Sequence, residues 1–281
     1  MTEPPSLQAW VGRTEVLTDI STRSPQQRLA ALLDHESSPW RPDEVPPLGH
    51  WFYFLPDARQ SQIGPDGHPK RGGFLPPVEL PRRMWAGGRF EFPAPLPLDA
   101  AIQRRSTVKS VQEKTGASGR MIFVTVQHQV EAAGRVCVIE EHDIVYREPP
   151  EPGAGGASRP DPDMGVATAT RQVVGDAVQL LRYSALTFNG HRIHYDRDYV
   201  TQVEGYPGLI VHGPYIATLL MDHYLRLHPR AQVATFSFRA LRPVFDGRPF
   251  ELRLREDESG AVIWAVSEDG VAMTADLTVR S

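Results

Sequence analysis

Cysteine, long apolar runs and charge imbalance are all scarce in this sequence. Cys137 is the only cysteine among 281 residues, so no internal disulfide can staple the chain and no zinc site can rest on paired thiolates. RVCVIE alternates as a strand does, which makes Cys137 a small core residue rather than a catalytic thiol. No run approaches the roughly 18 apolar residues that a bilayer-spanning helix needs, and MTEPPSLQAW has neither the basic segment nor the apolar stretch of a secretory signal. A soluble, cytoplasmic protein without a membrane partner is the expectation. The 30 basic and 34 acidic side chains leave a formal net charge of −4. That gives no field for wrapping a polyanion, so nucleic acid is not an expected partner.

Proline and glycine are plentiful and unevenly spread. EPPEPGAGGASRPDPDM, at 148–164, is too rich in both for a helix or central strand and too polar for a core, so it reads as a linker. It separates an N-terminal unit, 1–147, from a C-terminal unit, 165–281, each of ordinary domain size. The two resemble each other. FEFPAPLPL from Phe90 aligns without a gap with FSFRALRPV from Phe236, sharing both phenylalanines, an alanine and a proline. Towards the end of each half lies a hairpin pattern: MIFVTVQHQV and VCVIEEHDIVY flank EAAGR, while AVIWAVS and VAMTADLTV flank EDG. Each half also has a candidate central helix entered through proline and glycine, VPPLGHWFYFL near Val45 and GYPGLIVHGPYIATLLMDHYL near Gly205. One helix before a run of antiparallel strands, twice over, predicts a duplicated α+β unit in which curved sheet wraps helix. The opening PPSLQAWVGRTEVLTDISTRSPQQRLAALLDH reads as one or two short helices, with Leu29, Leu32 and Leu33 at helical spacing. The polar, glycine-rich run from Arg59, RQSQIGPDGHPKRGGFLPP, reads as a loop belonging to a binding surface.

The stretch TFNGHRIHYD, Thr187 to Asp196, followed by GYPGLIVHGPYIATLL, carries the chemistry. His191, His194 and His212 supply the three nitrogens a catalytic zinc requires, but on a loop the i, i+3 spacing does not put two rings on one face and no second-shell carboxylate is evident, so no metal is expected. Pro214 suits the first turn of a helix, where its missing N–H costs nothing, which sets Gly213 beside the N-cap. An unpaired N–H there can stabilise an oxygen that becomes negative, such as a thioester carbonyl turning into an enolate; the plainer alternative is a glycine that permits a tight turn. Asn189 and His194 add a carboxamide able to hold a water and an imidazole able to take a proton near neutral pH. Base, water holder and oxyanion donor are the parts needed to add water across a double bond conjugated to a carbonyl.

N-G-H-R-I-H-Y-D followed by Y-P-G-L-I-V-H-G-P resembles the type-2 enoyl-CoA hydratases, or MaoC-like dehydratases, whose signature runs D-x-N-P-L-H and then P-I-x-H-G. PPVELPRRMWAGGRFEF, VQEKTGASGRMIFVTVQHQV and EEHDIVYR are similar to the first half of the type-2 hydroxyacyl-thioester dehydratases, a subgroup that includes hydratases for itaconyl-CoA and the C4 thioester of mesaconate. The resemblance implies a tandem, or double, hot-dog fold, with a degenerate N-terminal domain widening the acyl and CoA pocket and a catalytic C-terminal domain. Matched by position, His194 falls on the family's catalytic histidine, Asn189 on its catalytic aspartate and Gly213 on the glycine whose amide binds the thioester oxygen. Asparagine cannot exchange a proton, so His194 would carry it alone. The implied activity is reversible hydration of an enoyl-CoA, with a branched C5 dicarboxylyl thioester giving citramalyl-CoA as the leading expectation. Dehydration of a 3-hydroxyacyl thioester on CoA or acyl carrier protein, a thioester-binding module without catalysis, and thioester hydrolysis are the alternatives. An acyl-CoA is the expected partner, without a further cofactor, in a chain able to form a homodimer or larger homo-oligomer. A dicarboxylate needs a cation, for which Arg192, Arg239 and Arg242 are candidates. Trp85, Gly88 and His191 complete the expected substrate contacts, with glycine admitting the thioester arm or simply marking a turn.

Overall fold

The computed structural model describes residues 6–116, 119–148, 160–258 and 260–280. Its main sheet is antiparallel and takes strands from both halves of the chain. The first half supplies β1 (Thr14–Ile20), β3 (Arg82–Glu91), β5 (Ala101–Gly116), β6 (Gly119–Ala132) and β7 (Arg135–Arg147). The second supplies β8 (Ala169–Val174), β9 (Val233–Ala240), β10 (Pro249–Asp257), β11 (Gly260–Ser267) and β12 (Gly270–Val279). The order across the 10-stranded sheet is β1-β5-β6-β7-β3-β9-β12-β11-β10-β8. Outward from the centre, the strands of each half follow one another in the same chain order. The halves meet where β3 pairs with β9, and there Phe90 lies opposite Phe236, the two residues that align in the sequence. A pseudo-two-fold axis thus passes between them. A separate two-stranded ribbon joins β2 (Glu44–Val45) to β4 (Leu96–Pro97).

The predicted hairpins form. Ala132 pairs with Arg135 around a two-residue turn in which Ala133 and Gly134 have φ of 50° and 75°, the positive values that match a tight turn to the twist of its strands. Among the described residues three α-helices accompany the sheet: α1 (Arg23–Leu32), α2 (Ala177–Thr187) and α3 (Gly213–Leu227). Every residue of α3 from Tyr215 to Tyr224 is buried, and the helix packs against β10, β11 and β12. It is the central helix expected in the stretch from Gly205, and it begins at Gly213 with Pro214 in its first turn, where the Gly-Pro step sets its start.

Two expectations for the first half are corrected. The stretch around Val45 forms no α-helix: Pro46 and Pro47 precede Leu48 in a left-handed conformation, and only a single 3-10 turn, Gly49–Phe52, follows. Thr14–Ile20 is an edge strand rather than helix, with the β-branched Thr14, Val16, Thr18 and Ile20 at every second position. The linker assigned to 148–164 falls largely outside the described residues.

Candidate active site

The Asn189–His194 loop is held from both ends. Asp176 caps α2 by accepting the Gln179 N–H, and the helix ends at Phe188, which is left-handed with φ of 48°. The Asn189 N–H then reaches back to the Ser184 carbonyl at 2.8 Å. Asn189 Oδ1 accepts the His191 N–H at 3.0 Å, a local turn typical of asparagine. With the oxygen used in this way, the Nδ2 group is the half of the carboxamide left to donate.

A single 3-10 turn, Arg192–His194, brings His194 into the interior, where it is 7% exposed. Its Nδ1 lies 2.7 Å from the Ile210 carbonyl. A carbonyl only accepts, so Nδ1 carries the proton and the lone pair sits on Nε2. Burial drives the pKa of this imidazole down to about 4, against the opposing contact with Ile210. The ring stacks on His212 with centroids 3.6 Å apart and planes at 18°. His212 is fully buried and bonded to the Ser184 hydroxyl at 2.8 Å. Burial, reinforced by His194 and His191, also holds it far below the usual histidine range. Both rings are neutral at physiological pH.

His212 is the N-cap of α3, Gly213 its first residue and Pro214 its second. The first N–H of a helix has no intrahelical acceptor. A β-carbon built on Gly213 would meet nothing within 4 Å, so no side chain crowds the start of the helix where it lines the cavity. Asn189, His191, His194 and Gly213 all line one cavity of about 1220 Å³. The first half of the chain lines it too, through the loop that begins at Arg59. That loop docks on the Asn189–His194 segment: the Arg192 N–H donates to the Asp66 carbonyl at 2.9 Å, and its Nη1 to the Pro65 carbonyl at 3.0 Å. Gly67 has φ of +89°, and a β-carbon there would fall 1.8 Å from the Gly190 oxygen, so only glycine allows the two loops to touch.

The other expected contacts divide. Trp85 lines the cavity, stacked on His142 at 3.8 Å, and His191 lines it beside His68, with ring centroids 4.1 Å apart. Arg242 lines it as well, but donates to Asp161 and to the Val271 carbonyl. Arg192 and Arg239 stay outside the cavity wall. Arg192 is paired with Asp196 at 2.7 Å and lies over the Tyr199 ring, and Arg239 is exposed on β9. Gly88 is buried where β3 meets β9, and a side chain there would strike the Phe90 ring at 2.8 Å. It serves the seam between the halves rather than the cavity. The three histidines weighed as zinc ligands do not converge on a common point, since His194 and His212 stack and spend a nitrogen each on Ile210 and Ser184. A different trio, Asp66, His68 and His191, brings ligand atoms within 4.8 Å of one another.

Reading the sequence missed a polar cluster from the first half. Glu140 is 4% exposed and accepts from His50 Nε2 at 3.0 Å and Trp51 Nε1 at 3.2 Å. Burial is the largest single influence and acts to raise its pKa, but the His50 hydrogen bond together with the neighbouring His128, His50 and His142 rings outweighs it and brings the carboxylate down to about 2. Nearby, His128 bonds the Ser106 hydroxyl at 2.8 Å, and burial drives His128 to about 3 and His142 to about 4. These residues come from the Gly49–Phe52 turn, β5, β6 and β7, so no short motif announces them.

The palindromic sheet, with a buried helix under its second half, defines a class: a double hot-dog protein with one open helix start facing a shared cavity. A protein of Mycobacterium tuberculosis described as a double hot-dog fold superposes with a TM-score of 0.56 at 13% identity, covering 96% of each chain. HtdX of the same organism superposes with a TM-score of 0.69 at 17% identity over 95% of this chain and 100% of its own. The model of the Htd2 family, hydroxyacyl-thioester dehydratase type 2, matches residues 48–246, and the chain belongs to that family. It is 46% identical over 263 residues to the mesaconyl-C(4)-CoA hydratase of Chloroflexus aurantiacus, covering 93% of both chains.

Proposed function

We propose that this protein catalyses the reversible hydration of a CoA-linked enoyl thioester, with the C4-linked mesaconyl group, a branched C5 dicarboxylyl chain, as substrate and citramalyl-CoA as product. The observation that carries the reading is the His194 tautomer. With Nδ1–H fixed on the Ile210 carbonyl, Nε2 is left as a neutral base in the same cavity as the Asn189 carboxamide and the uncrowded helix start at Gly213. A water accepting a hydrogen bond from Asn189 Nδ2 gives its proton to His194 Nε2 as its oxygen bonds to the β-carbon. The π electrons move onto the thioester oxygen, where the Gly213 N–H and the positive end of α3 stabilise the enolate. The imidazolium then returns the proton to the α-carbon, so one water is added across the double bond and His194 is regenerated.

In this reading the first half of the chain is a hot-dog domain that has given up its central helix, and the acyl group occupies the room left behind. Neither cofactor nor metal enters the chemistry. The experiment is a screen of the purified protein against unsaturated acyl-CoAs, following loss of the enoyl-thioester absorbance, with and without EDTA. C4-linked mesaconyl-CoA is hydrated at the same rate in both, and His194→Ala lowers kcat about 10³-fold while the circular dichroism spectrum is kept. Retained activity in that variant removes the mechanism, and loss of activity in EDTA returns Asp66, His68 and His191 to consideration as ligands.

A further inference from the structure

The substrate proposed above carries a free carboxylate on the very carbon that receives the hydroxyl, so its counter-cation has to stand near His194 and Asn189. Among the described residues six lysine and arginine side chains line the cavity: Lys70, Arg71, Arg83, Arg104, Arg147 and Arg242. Four are engaged or charge-balanced. Lys70 is exposed and bonded to the Ser61 carbonyl. Arg71 donates to the Val78, Leu80 and Pro81 carbonyls and lies over the Tyr146 ring. Arg242 is tied to Asp161, and Arg104 stands under the charges of Glu140 and Glu15. Arg147 closes β7, opposite Arg82 and Met121.

Arg83 shares with Arg147 the lack of a carboxylate partner among the described residues, and what sets it apart is its position. It sits on β3 opposite Tyr146, two residues before Trp85, which lines the same cavity. No carboxylate of the described residues forms an ion pair with it. Its charge is nevertheless felt on both sides of the cavity, at His191 of the Asn189–His194 loop and at His142 of the first half. In each histidine burial is the larger cause of a lowered pKa, and the arginine adds to it.

Resting on the hydratase reading, we infer that Arg83 is the substrate-carboxylate clamp, a specificity-determining residue supplied by the first half to a site whose base and oxyanion donor come from the second. Its planar fork matches a carboxylate in two parallel hydrogen bonds. Holding that group fixes the β-carbon against the water on Asn189. Neutralising it also removes the negative charge that would otherwise repel the incoming oxygen, so the clamp acts on kcat as well as KM. The same cation disfavours a long alkyl chain, which would have to bury it unpaired.

The test compares kcat/KM for C4-linked mesaconyl-CoA and for crotonyl-CoA, which lacks the carboxylate, in the wild-type protein, Arg83→Gln and Arg83→Lys. The ratio of the two constants falls about 100-fold in Arg83→Gln and by an intermediate factor in Arg83→Lys, which keeps the charge and loses the fork. An equal fall for both substrates, as expected of a residue binding CoA phosphate or supporting the fold, overturns the inference, and so does an unchanged ratio. Calorimetric binding of methylsuccinyl-CoA against butyryl-CoA reads the same preference without turnover. A protein that hydrates neither thioester, yet loses its preference for methylsuccinyl-CoA in Arg83→Gln, keeps the clamp and sinks the hydratase reading.

Discussion

A carboxamide at position 189 leaves His194 as the only group of the proposed pair that can carry a proton, and this has a measurable signature. Below about pH 4 the imidazole of His194 is charged and cannot accept from water, so kcat/KM is level through neutral pH and declines only in acid. Asn189→Asp places a carboxylate beside the ring. An opposite charge within a few ångströms favours the imidazolium, so the acidic limb of the profile moves to higher pH, by about one unit. Asn189→Ala keeps the base and removes the water's donor, lowering kcat about 10²-fold with the limb unmoved. A pH–rate profile on the three proteins checks both. A limb that stays in place in Asn189→Asp means that residue 189 does not share a site with His194.

Among elements, the loop that begins at Arg59 joins the halves around the site. Gly67 on Gly190 and the Asp66 carbonyl on the Arg192 N–H set the distance between the wall from the first half and the segment carrying Asn189 and His194. Gly67→Ala puts a methyl group where the Gly190 oxygen already lies, so the loops separate. A displacement of this size costs about 10-fold or more in kcat/KM, and hydrogen exchange at the Arg192 amide speeds up while the sheet amides stay protected. Unchanged exchange at Arg192 would show that the loops are not coupled. How legible such elements are in the sequence depends on how local their causes are. The hairpins around Ala133–Gly134 and Glu268–Asp269 follow from alternation and turn chemistry within about 25 residues, and the Asn189, His194 and Gly213 group is nearly contiguous, so both can be read off directly. The 3-10 turn at Gly49–Phe52 could not be, because its apolar residues suit a helix as well as a core and only the left-handed Leu48 decides. Thr14–Ile20 carried a signal, β-branched residues at every second position, that its helical neighbours masked. The cluster around Glu140 and the position of Arg83 come from pairing β3, β6 and β7, and no single stretch contains them.

For the whole molecule, the cavity's buried imidazoles tie stability to pH. Burial lowers His128 to about 3 and His142 and His194 to about 4, and it holds His212 well below the ordinary histidine value. In the unfolded chain each titrates near 6.5. Between that value and the folded pKa the unfolded state binds more protons, so stability falls as pH drops, by about 1.4 kcal/mol per pH unit for each histidine fully in the window. Above 6.5 the effect is absent. Glu140 cannot compensate, because its folded pKa lies below its unfolded one: its contribution is complete above the ordinary carboxylate range and is lost only in stronger acid, in the same direction. The four histidines therefore act together before any carboxylate does. The unfolding temperature stays level from pH 8 to 7 and drops by roughly 10 °C between pH 6.5 and 5, a range in which a fold stabilised mainly by surface carboxylate pairs would hold steady. Replacing His128 by Gln, which keeps a hydrogen-bonding group for Ser106 but cannot be protonated, makes the decline shallower by about one histidine's share. A decline of the same slope in that variant would mean that His128 is already charged in the folded protein, and the cavity would then be cationic at its deep end rather than neutral.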